Sequence, residues 1–193
     1  VHLLQRHVGP DYTRCMHAPD TWERVVRVDD DEIWQAHHRN KQSLITFIRK
    51  KLADDLAARG YIEPKILKLT RALNPEYLTI VFARRFARYK RPTLILRDKE
   101  RLAKILGNTT RPVQLIFAGK AHPADMLGKN MIREIVDFAR SYQLEDRVMF
   151  VENYDINVAR HLAWGADVWL NNPVRENEAS GTSGMKAAMK IRR

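Results

Sequence analysis

From residue 78 onward the chain alternates short β-branched or apolar runs with amphipathic stretches, and that alternation constrains its fold more than any other feature. The strand-like runs are Leu78–Ala83, Val113–Ala118, Val148–Val151 and Asp167–Asn171. Between them the spacing predicts helices: 93–106, opened by Pro92 and closed by Gly107-Asn108; one carrying Met131, Ile132, Ile135, Val136 and Phe138 after His122-Pro123-Ala124-Asp125; and Ile156–Trp164, stopped by Gly165. Strands that alternate with helices must run parallel and cross over through those helices. The expected fold class is therefore α/β, a Rossmann-like doubly wound parallel sheet.

Residues 1–62 read differently, as a mostly helical and strongly charged segment. Asp29-Asp30-Asp31-Glu32 puts negative charge where a helix N-terminus favours it. Trp34, Leu44, Ile45, Phe47, Ile48, Leu52 and Leu56 recur at roughly helical spacing, and Gly60 marks the stop. His37 and His38 are adjacent, so they point to different faces of a helix and do not form a local metal pair. The Lys and Arg residues here read as a solvated helix face. The expected division is a helical segment 1–62 followed by a Rossmann-like unit 63–193, the apolar stretch opening at Ile66-Leu67.

Composition narrows the function classes. The 193 residues are 45% hydrophobic, enough for a core, and no apolar stretch approaches the roughly 20 residues of a membrane span. No signal-peptide pattern opens the chain, and the single cysteine, Cys15, excludes an internal disulfide and a cysteine-cluster metal site. A soluble cytoplasmic protein is expected. Thirty-four basic against 23 acidic side chains give a net charge of +11, which suits anionic partners.

Every chemically unusual cluster lies just after a strand, at 84–91, 119–122, 152–155 and 171–186, and ligands of doubly wound sheets sit at those carboxyl ends. In 84–91 five of eight residues are cationic and none is acidic. Arginine offers a planar fork matched to phosphate, lysine a point charge. Phe86 and Tyr89 interleave with the cations, so a nucleic-acid surface stays open on this segment alone. In Glu178-Ala179-Ser180-Gly181-Thr182-Ser183-Gly184-Met185-Lys186, an acid leads into small residues and a lysine at a helix start. Small residues let backbone N–H groups approach an anion, although a plain helix-capping loop reads the same way. Gly119-Lys120 lacks the upstream glycine of a P-loop, and no carboxylate pair stands out as a glycosidase acid and base.

Taken together, Thr79–Arg91, Phe117-Ala118-Gly119-Lys120-Ala121 with Glu152-Asn153-Tyr154, and Glu178–Lys186 resemble the α-glucan (glycogen, starch, maltodextrin) phosphorylases, most closely their shorter bacterial and archaeal branch. The resemblance covers about Leu78 to Met189, with less specific similarity in 1–62. It implies that the sheet is part of the C-terminal half of a GT-B glycosyltransferase fold, preceded by helices. It implies pyridoxal 5′-phosphate as cofactor, with Lys186 forming the Schiff base and Gly181, Thr182 and Arg84 facing the cofactor phosphate. Tyr154 would line the cofactor pocket, and Arg85 and Lys90 would hold inorganic phosphate. Glu178, Ala179 and Ser180 would hydrogen-bond glucose hydroxyls. The implied catalytic set is Arg85, Lys90 and Lys186, with no metal.

The reaction implied is phosphorolysis of an α-1,4-glucan by inorganic phosphate to α-glucose-1-phosphate, with retention. The cofactor phosphate exchanges a proton with substrate phosphate, so the missing carboxylate pair has a reason. No nucleic-acid or membrane partner is implied, and homo-oligomers occur among full-length relatives. Two features depart from the pattern: Val81 stands where relatives often carry Gly, and Met189-Lys190-Ile191-Arg192-Arg193 replaces the usual run toward Asn-Gly. The expectation is a fragment with little or no activity alone. Two alternatives remain, a retaining nucleotide-sugar transferase resembling glycogen synthase and a basic polyanion-binding module.

Overall fold

The computed structural model describes residues 2–12, 14 and 18–188. Cys15 and the 189–193 run lie outside the described residues. Eight α-helices are described: α1 (His2–His7), α2 (Pro19–Glu23), α3 (Asp30–Ala58), α4 (Glu63–Ala72), α5 (Lys99–Leu106), α6 (Met126–Ser141), α7 (Ile156–Gly165) and α8 (Thr182–Ala188). Four strands form one sheet: β1 (Leu78–Ala83), β2 (Val113–Ala118), β3 (Val148–Val151) and β4 (Val168–Trp169). Their order is β3-β2-β1-β4, all parallel, with Phe82 opposite Phe117 and Val81 opposite Trp169. The chain builds outward from β1 to β3, then returns to place β4 on the other side of β1. The switch point therefore lies between β1 and β4.

Period-two alternation sends the strand side chains to two separate cores. Val81, Ala83, Ile116, Ala118, Met149 and Val151 pack with Leu44, Ile45, Ile48 and Leu52 of α3 and with Val158 and Leu162 of α7. Phe82, Leu115, Phe117 and Val148 face the other way, onto Leu102 and Leu106 of α5 and Ile135 and Phe138 of α6. Both faces are thus covered, and β2, buried at every position, is central in burial as well as in order. Val81 is fully buried in the α3 and α7 core. The last residue of α7, Gly165, lets that helix touch α3, since a Cβ there would lie 2.4 Å from the Leu44 Cβ.

Most boundaries follow the sequence reading. Asp29 caps α3, its side chain accepting from the Asp31 N–H, and Asp125 and Asp155 cap α6 and α7 in the same way. The helix expected over 93–106 is shorter. Leu94–Leu96 forms a 3-10 turn, and α5 begins only after Asp98, whose carboxylate accepts from the Arg101 N–H. A cap that satisfies an otherwise orphaned N–H outweighs the helix-starting preference of Pro92. The expected strand 167–171 keeps only two paired residues, although Asp167 N–H still donates to Thr79 O (3.0 Å) and Leu170 N–H to Val81 O (2.8 Å). Ile66-Leu67 lies within helix α4.

The charged face of α3 is not wholly solvated. Lys41 is buried and its ammonium lies 2.7 Å from Asp167 Oδ2. His37 Nε2 lies 2.5 Å from Asp167 Oδ1, and the Thr79 N–H donates to Oδ2 at 2.7 Å. Asp167 therefore ties α3 to the entry of β4 and the start of β1. Burial pushes its carboxyl pKa upward, but the bonds from His37, Lys41 and Thr79 outweigh that and hold it below the ordinary carboxylate value.

Candidate functional site

The loop after β1 leaves the sheet under tight control. Arg84 N–H donates to Ala118 O at 3.1 Å and Phe86 N–H to Lys120 O at 3.0 Å, so the loop stays bound to the end of β2. Gly119 makes this possible. It adopts φ +147°, and a Cβ there would sit 2.0 Å from the Arg84 carbonyl oxygen. Phe86 is fully buried and anchors the loop between β1 and α6. The next residues, Arg88–Lys90, make a 3-10 turn that ends on Arg91 in the left-handed conformation.

This geometry sorts the five cations into different tasks. The Arg84 side chain is 3% exposed and turns inward, donating to Asn171 Oδ1 and pairing with Glu178 Oε1. Lys90 Nζ donates to Glu178 Oε2 at 2.8 Å and lies 4.9 Å over the Tyr89 ring. Both oxygens of one carboxylate are thereby engaged by two cations from the β1 loop. Arg85 is exposed and reaches the Tyr89 hydroxyl at 3.3 Å. Arg91 donates to the carbonyls of Asn172 (2.7 Å) and Pro173 (3.0 Å). Arg88 is exposed.

Burial lowers the Arg84 guanidinium pKa, an effect opposed by the phenols of Tyr89 and Tyr154; it remains a cation at neutral pH. Tyr154 is half-buried against the α3 and α7 core, and burial raises its pKa against the pull of Arg84. Tyr89 goes the other way, lowered by hydrogen bonds from Arg85 and then Lys90.

Glu178 is presented by the segment between β4 and α8. Gly181 takes φ +63°, and a Cβ on it would lie 2.6 Å from Glu178 Oε1 and 3.4 Å from an Arg84 nitrogen. The next glycine, Gly184, sits against Asn171, where a Cβ would meet the amide nitrogen at 2.9 Å. The fold thus brings Arg84, Lys90, Glu178 and Gly181 together at the β1/β4 switch point. Ala179, Ser180 and Thr182 are exposed beside them. Lys186 is exposed on α8 and forms no ion pair among the described residues. Sequence reasoning missed Asn171 as the amide that orients Arg84, and Arg91 as a tie to 172–173. An Asn-Asn pair directly after a strand was the available signal.

Among the described residues, no group of three or more His, Cys, Asp or Glu could hold a metal ion, and no helix is long and apolar enough to cross a membrane.

The profile of the family described as carbohydrate phosphorylase matches residues 2–191. A glycogen phosphorylase of Aquifex aeolicus is 44% identical over 188 residues, covering 97% of this chain and 27% of that protein. A maltodextrin phosphorylase of Thermococcus litoralis is 43% identical over 187 residues, with 97% and 22% covered. A glycogen phosphorylase of Mycobacterium tuberculosis is 44% identical over 174 residues, with 90% and 20% covered. The chain thus spans between 20% and 27% of the length of these relatives. Among solved structures, the C-terminal domain of a group 1 glycosyl transferase (LpcC) of Francisella tularensis aligns over 58% of this chain and 53% of that one. At 17% identity and a TM-score of 0.46, that likeness is too slight to bear on function.

Proposed function

Because the chain belongs to the carbohydrate phosphorylase family, we propose that it forms the part of an α-glucan phosphorylase that holds pyridoxal 5′-phosphate and inorganic phosphate beside the sugar being transferred. The observation that carries this reading is the convergence of Arg84 and Lys90 on the one carboxylate of Glu178, at the sheet's switch point. Two cations aimed at a single small anionic group make a site suited to phosphate chemistry.

The residues present suit the cofactor. Lys186 offers an exposed amine with no ion pair among the described residues. Gly181 keeps its backbone free of a side chain beside Arg84 and Glu178, where a Cβ would lie 2.6 Å from Glu178 Oε1. In this reading Lys186 is the covalent anchor, Gly181, Thr182 and Arg84 receive the cofactor phosphate, and Tyr154 lines the pocket. When bound, the group supplies a phosphate that can hold and return a proton.

The chain's own residues do the rest. Arg85 and Lys90 hold inorganic phosphate, and with Arg84 they offset the repulsion between two phosphates. Glu178, Ala179 and Ser180 orient the glucose hydroxyls, so the reacting centres meet in a fixed geometry. The Tyr154 phenol is protonated at neutral pH and can donate a hydrogen bond, and burial raises its pKa further. The substrates are an α-1,4-glucan and inorganic phosphate, the product α-glucose-1-phosphate with retention, and the setting the cytoplasm. Residues 63–193 carry this chemistry, and 1–62 lead into it.

Incubation with pyridoxal 5′-phosphate, borohydride reduction and peptide mass mapping test the proposal. The expected result is a stoichiometric label on Lys186 that inorganic phosphate does not displace. Labelling spread over surface lysines, or saturable nucleotide-sugar binding with no label, would point to the nucleotide-sugar transferase instead.

A further inference from the structure

Arg91 belongs to the same cationic run as Lys90, yet its guanidinium bonds to backbone carbonyls and not to Glu178. It donates through Nε to Asn172 O (2.7 Å) and through a terminal nitrogen to Pro173 O (3.0 Å). The contact is reciprocal, because Asn172 Nδ2 donates back to Arg91 O at 3.1 Å. Two residues earlier, Tyr89 O accepts from the Val174 N–H at 2.7 Å. Four hydrogen bonds therefore join 89–91 to 172–174, and Lys90 is the residue between the two bonded ends. Arg91 holds φ 49° and ψ 52°, a conformation that a residue with a Cβ adopts at a cost. The surrounding bonds over-determine that conformation, as expected where backbone strain is kept for a purpose.

The geometry points to Arg91 as a positioning residue that acts through Lys90. It fixes the Lys90 backbone to the segment that goes on to present Glu178, so that the ammonium reaches an anion at the switch point without a search over rotamers and loop positions. This inference rests on the reading of Lys90 as a phosphate ligand. It makes Arg91 different in kind from Arg88, an exposed cation of the same loop. A planar fork spanning two successive carbonyls cannot be reproduced by a single ammonium, so lysine at 91 keeps the charge and loses the tie.

The test is titration of the 193-residue chain with inorganic phosphate at fixed pH and ionic strength, followed by ³¹P NMR. The set is wild type, R91K, N172A, the R91K/N172A double variant, R88K and K90M, with folding checked by circular dichroism. Arg91→Lys is expected to weaken phosphate binding about 5–10-fold at unchanged net charge, with Asn172→Ala weaker in the same direction. The double variant is expected to lose less than the product of the two single losses, since both belong to one network. Arg88→Lys is expected to match wild type. If R91K is less stable to urea but binds phosphate as wild type does, Arg91 is only a structural tie and the inference is overturned. If R91K does not fold, N172A carries the same comparison, and unchanged binding there also overturns it. If wild type does not bind phosphate, or K90M binds it equally well, the reading of Lys90 falls and the inference falls with it.

Discussion

Lys41 and Asp167 form an ion pair, 2.7 Å from ammonium to carboxylate, between the middle of α3 and the residue that enters β4. Both side chains are almost entirely withdrawn from water, at 6% and 10% exposure. Removing one partner leaves the other charge buried, so Asp167→Asn should cost about 3–5 kcal/mol of unfolding free energy. The same carboxylate sets a pH dependence. Its pKa is depressed in the fold, so its contribution is complete above the unfolded value of about 3.9 and is lost as pH falls through the folded value. Urea midpoints measured from pH 7 down to pH 2.5 should fall more steeply for wild type than for D167N below about pH 4.

Glu178→Gln should have two effects of opposite sign. Arg84, 3% exposed, loses its counter-charge, and stability should drop by about 3–5 kcal/mol in urea titrations. Phosphate binding should tighten several-fold, because the anion no longer competes with an internal carboxylate for Arg84 and Lys90. Unchanged phosphate affinity in folded E178Q would count against those two cations as the anion site.

At Gly119 the backbone is both left-handed and in contact with Arg84 O. Gly119→Ala should therefore cost about 3 kcal/mol or more, from strain and overpacking together. Because the damage falls on the β1/β2 exit, phosphate binding should weaken along with stability. Calorimetry of melting and of phosphate binding on the same sample checks both.

The two tyrosines of the site should titrate on opposite sides of the ordinary phenol value. Ultraviolet absorbance near 295 nm should show an early ionising phase that Tyr89→Phe removes, since hydrogen bonds from Arg85 and Lys90 favour the phenolate there. Tyr154, raised by burial, should ionise last, and Tyr154→Phe should remove the final phase.

Strand positions were legible in the sequence because β1, β2 and β3 are β-branched or apolar runs interrupted only by Gln114, and such runs largely buried on both faces leave few alternatives. The helix starts at Asp29, Asp125 and Asp155 were legible for an equally local reason, a carboxylate placed to cap its own chain. What failed to show is what depends on partners distant in sequence. Lys41 sits among other cations of α3 and looks solvated until Asp167 is placed beside it. Arg84, Arg85, Lys90 and Arg91 read as one basic run, yet the fold turns Arg84 and Lys90 onto Glu178, Arg85 onto Tyr89 and Arg91 onto two backbone carbonyls, and nothing in their spacing tells a buried guanidinium from an exposed one. The late start of α5 was missed because Pro92 and Asp98 both suit a helix opening, and only the bond to the Arg101 N–H decides between them.

The β3-β2-β1-β4 order has a consequence for how the chain is made. Arg84 is synthesised first, and the carboxylate that pairs with it follows 94 residues later, beyond a strand that must return beside β1. At ordinary translation rates that interval is roughly 5–20 s. Throughout it the edge of β1 that β4 will cover stays open, and the cationic loop at its end lacks the Glu178 carboxylate. A polyanion beside the nascent chain, ribosomal RNA above all, can reach that loop before Glu178 does.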